Sequence, residues 1–320
     1  MKIQQTYEIT LNLDTKKFNK LKQRMRPDKG KHTAGAIVTE GIEVTFHDNQ
    51  YKPKIKLSVT PNWVLNSDEP DHPKLIRKVE EYITDNFGSK FRLDDFRVTG
   101  MLLVADIDVQ SRKRAADYLK VLQRIGKVKG FSPLSDPETG DGFSFRLKGN
   151  SNGIEFGVFD LESVLKTQVD KVECGRKQYK EIIKKSEGLL RAEIRLAEMK
   201  AIRVWTNETD NAKQLKELTR RSKDIFLDTF MRVIPLGDFY KKDEAVEIVW
   251  RDVEDGPIKR RMLRLLDLVP EKKSLHLAQK TLDYRKLERV MDMFDGIQLS
   301  PVTISKRHDV QRLDSLYRYM

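Results

Sequence analysis

The chain has 320 residues, of which 34% are charged and 38% hydrophobic, and a formal net charge of +12. That length allows two domains, or one large domain with a helical appendage, and the charge favours a polyanionic partner. No apolar run approaches the roughly 18 residues of a membrane span and MKIQQTYEITLN has no signal-peptide pattern, so a cytoplasmic protein without a membrane partner is expected. The single cysteine, Cys174, excludes an internal disulfide, and no Cys/His cluster has zinc-finger spacing. With Arg176 and Lys177 close by but no neighbouring histidine, Cys174 reads as an ordinary thiol.

Taken in order, TYEITLNLD alternates as a strand, and AIVTEGIEVTFHDNQYKPKIKLSVTP gives two more around the HDNQYKP turn. HPKLIRKVEEYITDNFG sets Leu75, Ile76, Val79, Tyr82 and Ile83 at helical spacing and closes on Gly88. VTGMLLVADIDV, from Val98 to Val109, predicts a buried strand that brings Asp106 and Asp108 to one face, because strand side chains alternate. Aspartates ending an apolar strand are paired, hydrogen-bonded or bound to a cation, or else are solvated or cap the next helix. That helix, in SRKRAADYLKVLQRIGKVKG, turns Ala115, Tyr118, Leu119, Leu122 and Ile125 inward. Its cations project away from the sheet, which makes Arg112, Lys113, Arg114 and Lys120 the expected phosphate contacts.

FSPLSDPETGDG is loop, and FSFRLKGNSNGIEFGVFDLESV is a hairpin turning at Asn150 to Gly153. An amphipathic helix is predicted from about Leu161 to Lys185; Gly188 ends it, and LLRAEIRLAEM alternates as another strand. From Ala201 onward the signals are helical. LKELTRRSKDIFLDTFMRVI reads as one helix, followed by KKDEAVEIVWRDV, PIKRRMLRLLDLV, KKSLHLAQKTL and YRKLERVMDMF, punctuated by Gly256, Pro257 and Pro270. Trp205 and Trp250 are expected in helical cores, and Trp63 near a loop. Ser300 caps a last helix carrying TISKR, either a helix-turn-helix reader or part of an ordinary basic bundle. The expected fold is α+β: residues 1–205 form an antiparallel-rich sheet with covering helices, and residues 206–320 an all-α region.

Asp106, Asp108, Asp160 and Glu193 are hard oxygen donors that suit Mg²⁺ or Mn²⁺ if their strands are neighbours. Glu193, between Arg191 and Arg195, equally fits an exposed charge stripe. No P-loop or dinucleotide fingerprint occurs, which argues against an ATPase or an NAD enzyme.

The succession of LLVADIDV, a basic helix, IEFGVFDLE, a long helix and LLRAEIRLAE, over roughly Tyr51 to Val204, resembles the rolling-circle replication initiators of plasmids and phages. The resemblance implies a sheet-based DNA-nicking domain in which a tyrosine cleaves one strand with a divalent metal held by acidic residues. Asp106 and Glu193 would then be the metal-side carboxylates, with Asp108 as a helper. Gly100, Met101 and Leu102 stand where such proteins often carry Arg-x-Asp, and Leu161 where a lysine follows the aromatic-Asp step. AEMKAIRVWTNETDN lacks the tyrosine expected after the glutamate strand, which leaves Tyr179, in RKQYKEIIKK, as the substitute nucleophile. Three functions stay open: a DNA-binding, replication-initiation-like protein of a mobile element that nicks DNA; a non-catalytic DNA-binding regulator on the same scaffold; and a structural or protein-interaction component.

Overall fold

The computed structural model describes residues 2–25, 36–39, 41–49, 51–67, 69, 71–134, 144–167 and 176–320. Cys174 lies outside them.

The alternating segments assemble into one antiparallel sheet. Its strands are β1 (Ile3–Asn12), β2 (Ala36–Thr39), β3 (Ile42–His47), β4 (Lys54–Val59), β5 (Arg97–Asp108), β6 (Phe131–Pro133), β7 (Ser144–Gly149), β8 (Ile154–Asp160) and β9 (Leu189–Leu196). They lie in the order β2-β3-β4-β1-β5-β9-β8-β7-β6, so the aspartate-bearing strand is central, between β1 and β9. Register follows the alternation: Met101 faces Leu196 and Tyr7, and Leu103 faces Ile194, all on the covered side. Thr6, Glu8, Leu102, Val104, Asp106, Arg191, Glu193 and Arg195 share the other side.

Helices pack on one face of the sheet. They are α1 (Thr15–Arg24), α2 (Pro61–Leu65), α3 (His72–Phe87), α4 (Arg112–Leu122), α5 (Leu161–Thr167), α6 (Arg176–Lys185), α7 (Met199–Arg203), α8 (Asn211–Arg220) and α9 (Ser222–Val233). The inward stripe predicted for α4 is buried from Ala115 to Ile125, and α4 lies over β7, β8 and β9. Phe230 of α9 meets Phe156 of β8 edge-on at 5.8 Å, so aromatic packing continues from the sheet into the helical region. There α10 (Lys242–Asp252), α11 (Gly256–Lys272), α12 (Leu275–Leu282) and α13 (Leu287–Gly296) pack around α11. The α+β class, with an antiparallel sheet and a C-terminal helical region, is as expected.

Several local expectations are corrected. Residues 211–233 form two helices, because Arg221 leaves the helical region at φ −91° and ψ 2°. The break lets α8 anchor on the turn before β5, where Asn211 donates to the carbonyls of Leu93 and Phe96 at 2.9 and 2.8 Å, while α9 lies over β1 and β9. Of the helix expected from Leu161 to Lys185, α5 and α6 are helical, and residues 168–175 between them lie outside the described residues. Pro270 sits inside α11, which ends only at Lys272. Trp250 is 61% exposed: α10 buries Ala245 and Val249, and the next position is rotated by about 100° towards solvent.

The TISKR segment is not helical. Leu299 through Ile304 are buried without interruption, a pattern that an amphipathic surface helix cannot produce. A bend at Pro301 and Val302, flanked by isolated bridges at Leu299 and Ile304, carries these residues through the core, and Ile304 donates its amide to the Tyr240 carbonyl at 2.8 Å. The chain then pairs β11 (Arg312–Leu313) with β10 (Phe239–Tyr240). Asp238, 3% exposed, fixes this tail by accepting from Arg312 and Arg318 at 2.7 and 2.8 Å and from the Ser315 amide at 2.8 Å.

Candidate nucleic-acid interface on the open sheet face

With helices on one side, the polar half of each alternating strand is left facing outward. A trough of about 510 Å³ crosses this face. Its lining comes from seven consecutive strands, from Glu43 on β3 to Arg146 on β7. At the ordinary strand spacing that is a length of about 29 Å. Trp63, 66% exposed, stands at the β3 end. The missing side chain of Gly41 lets Trp63 approach, since a Cβ there would lie 2.7 Å from the Trp63 Cβ.

Alternating charges tile the floor. Lys56 of β4 meets Glu8 of β1 at 3.3 Å, and Arg195 of β9 meets the same Glu8 oxygen at 2.7 Å. The second contact reaches over the intervening strand β5. It can do so because β5 presents Gly100 there: a Cβ at Gly100 would lie 2.6 Å from Oε2 of Glu8. Arg195 also approaches Glu155 of β8 at 4.0 Å. Gly100, which interrupts the pattern of the resembled family, thus makes room for a bridge across three strands.

Asp106 and Glu193 do share this open face. Asp106 lies opposite Arg191 and Val104 opposite Glu193, so the two acids are diagonal neighbours on adjacent strands. Diagonal positions are about 7–8 Å apart along the backbone. Asp106, however, accepts from Nε and Nη2 of Arg191 at 2.7 and 2.9 Å, engaging both its oxygens. Burial opposes the charge on Arg191, yet the Asp106 hydrogen bonds and the attraction of Asp106 and Glu193 hold its pKa above the ordinary value. Glu193 has no hydrogen-bond or ion-pair partner among the described residues. Its pKa is raised, chiefly by burial and further by Asp106, against the opposing pull of Arg191, Arg146 and Arg195.

Of the other expected site residues, Asp108 keeps to the same side of β5 as Asp106, and the rest lie elsewhere. Asp108 is exposed and accepts from the Gln110 amide at 2.7 Å, closing the turn into α4. Asp160 pairs in register with Leu190, on the covered side, and bonds Ser163 at 2.5 Å. Tyr179 is 7% exposed, and its hydroxyl donates to the Leu165 carbonyl. On α4, Arg112 pairs with Glu162 at 3.6 Å, Lys113 with Asp309 at 3.1 Å, Arg114 with Asp314 at 3.1 Å and Lys120 with Asp117 at 3.9 Å. Each cation assigned to phosphate therefore already has a carboxylate beside it.

A hard divalent ion of the Mg²⁺ type is held by one or two carboxylates together with water and substrate phosphate. Here Asp106 is engaged by Arg191 and Asp108 by its own turn, and no three acidic, histidine or cysteine side chains gather as a metal-ligating group among the described residues. Reading the sequence missed the trough residues Glu8, Lys56 and Arg146. Alternation alone puts each on a polar face, but only the strand order puts those faces side by side.

No family model matches the chain. No curated protein matches it either. Among solved structures it is similar to a rolling-circle replication initiator protein from Geobacillus stearothermophilus, at 12% identity and a TM-score of 0.31, over 96% of this chain and 99% of that one. Among the described residues no helix is long and apolar enough to cross a membrane.

Proposed function

We propose that the chain is a DNA-binding protein of the replication-initiation type that lays a single strand across the open face of its sheet. The trough is the observation that carries this reading. It is long, uncovered and lined by hydrogen-bonding side chains of both signs, with an exposed indole at one end. Cationic and anionic groups in alternation suit the polar edges of unstacked bases, and Trp63 offers a stacking platform. The phosphates then face outward, where the net charge of +12 favours approach.

Titrating a fluorescent single-stranded DNA oligonucleotide with the protein tests this. Binding is expected to weaken with salt, and Trp63→Ala to weaken it by roughly tenfold or more, the usual worth of one stacked base. No binding at low salt, or full binding by Trp63→Ala, sinks the reading.

A second reading, a nicking enzyme, is favoured by the placement of Asp106 beside Glu193 on one face. Against it stand the Asp106–Arg191 pair and the engaged hydroxyl of Tyr179. A bound Mg²⁺ or Mn²⁺ would have to draw Asp106 away from Arg191. Incubating labelled hairpin DNA with the protein and Mn²⁺ separates the two readings: protein-linked nicked DNA supports the enzyme, and binding without nicking supports the regulator.

A further inference from the structure

We propose that the trough reads guanine: the Glu193 carboxylate accepts from the two adjacent donors, N1–H and N2–H, of one unstacked base. This base assignment rests on the single-strand binding proposed above.

Four carboxylates line the trough, those of Glu8, Glu43, Glu155 and Glu193. Glu8 is held by Lys56 and Arg195, and Glu155 lies beside Arg195. Glu43 is exposed on β3, towards one end of the sheet. Glu193 is the one that stands half-buried next to the central strand and has no hydrogen bond or ion pair among the described residues. Its raised pKa follows from this: burial disfavours the charge, and no donor offsets it at close range. Two N–H donors brought by a ligand would supply what the fold withholds.

Register gives the carboxylate room. Glu193 on β9 lies opposite Gly157 on β8, and Gly157 lies opposite Arg146 on β7. Two strand spacings, about 9.6 Å, separate the backbones that carry Glu193 and Arg146. Between them stands a residue without a side chain. A Cβ at Gly157 would meet Arg146 alone, with Cγ at 3.6 Å and Nε at 3.8 Å, and no atom of Glu193 comes within 4 Å of that point. The floor therefore has a notch beside the carboxylate, bounded on its far side by the Arg146 side chain.

An ionised carboxylate is acceptor-only and takes two hydrogen bonds side by side. Among the four DNA bases, guanine presents two adjacent donors on its Watson–Crick edge. Adenine and cytosine each set one amino group beside a ring-nitrogen acceptor, and thymine sets one N–H between two carbonyls. With any of these three the second carboxylate oxygen faces an acceptor. A guanidinium across the notch suits the O6 and N7 acceptors of the same guanine. Arg146 has an interaction of its own, so the selection falls on Glu193.

The test uses the full chain and labelled dT oligonucleotides that carry one central dG, dA, dC or deoxyinosine, the last being the guanine nucleoside without its 2-amino group. The wild type is expected to bind the dG strand roughly tenfold or more tighter than the dT, dA and dC strands, the worth of one good bidentate contact. Deoxyinosine is expected to fall between. Glu193→Gln replaces one acceptor by a donor, and its melting temperature reports whether it is folded. In that variant the dG preference is expected to collapse, and the difference between dG and deoxyinosine to vanish with it. A wild type that binds every strand equally overturns the guanine assignment and leaves single-strand binding standing. A dG preference that survives in Glu193→Gln does the same. A wild type that binds none of the strands at low salt overturns both.

Discussion

Asp106 and Arg191 face each other across the β5–β9 ladder and are joined by two parallel hydrogen bonds, 2.7 and 2.9 Å long. The pair occupies both oxygens of the aspartate. Arg191→Ala is therefore expected to create Mn²⁺ affinity measurable by calorimetry, and adding Asp106→Asn to remove it. Equal Mn²⁺ binding by the wild type and Arg191→Ala would show that the arginine is no barrier. Asp106→Ala alone should cost about 1 kcal/mol, the upper range for a partly exposed ion pair.

Gly100→Ala tests the bridge over β5. The added methyl would lie 2.6 Å from Glu8 Oε2 and 3.0 Å from the Leu196 carbonyl oxygen. The Glu8 side chain can turn away but the backbone carbonyl cannot, so a loss of about 1–3 kcal/mol is expected in urea unfolding. Full stability in the variant would mean that the floor of the trough is looser than described.

Glu193 gives a pH dependence whose sign is fixed. Its pKa is raised in the folded chain from the ordinary 4.5, chiefly by burial. As pH climbs through 4.5 the unfolded chain releases this proton first, so the folded state loses relative stability until its own higher pKa is passed. Glu193→Gln should therefore raise the melting temperature at pH 7, and the gain should vanish below pH 4.5. A variant less stable than wild type at pH 7 would show that attraction to the three arginines outweighs burial.

Much of this architecture was legible in the sequence, and what was not has a physical cause. Strict alternation fixed β5, the β7–β8 hairpin and β9, and helical spacing fixed α3 and α4, because each burial pattern is local. The co-location of Asp106 and Glu193 on one face also followed from alternation once their strands proved adjacent. The partners were hidden. Arg114 is neutralised by Asp314, two hundred positions on, and no local pattern encodes that pairing. The tail after Leu299 misled for the opposite reason: Ser300, Pro301 and the TISKR polar face imitate a helix start, while tertiary packing buries both sides of the segment.

Asp238→Ala should loosen that tail. The change removes the acceptor of the Ser315 amide, in a residue that is 4% exposed, along with the ties to Arg312 and Arg318. Since both arginines can turn to solvent, about 2–3 kcal/mol is expected, mostly from the stranded amide. Hydrogen exchange localised to Ser315 and its neighbours would report it, and unchanged protection there would refute it.

Tyr179→Phe separates packing from chemistry at that residue. Loss of the bond to the Leu165 carbonyl should cost about 1 kcal/mol in urea unfolding and leave oligonucleotide binding as it was. Weaker binding without lost stability would place the hydroxyl in the interface instead.

The bridge from Lys56 through Glu8 to Arg195 has a consequence for any visitor to the trough. Each of these groups already has a charged partner within the protein, so an arriving base competes with an existing ion pair for it. Recognition there becomes an exchange, in which a mismatched edge leaves the resident pairs closed and the visitor drifts off.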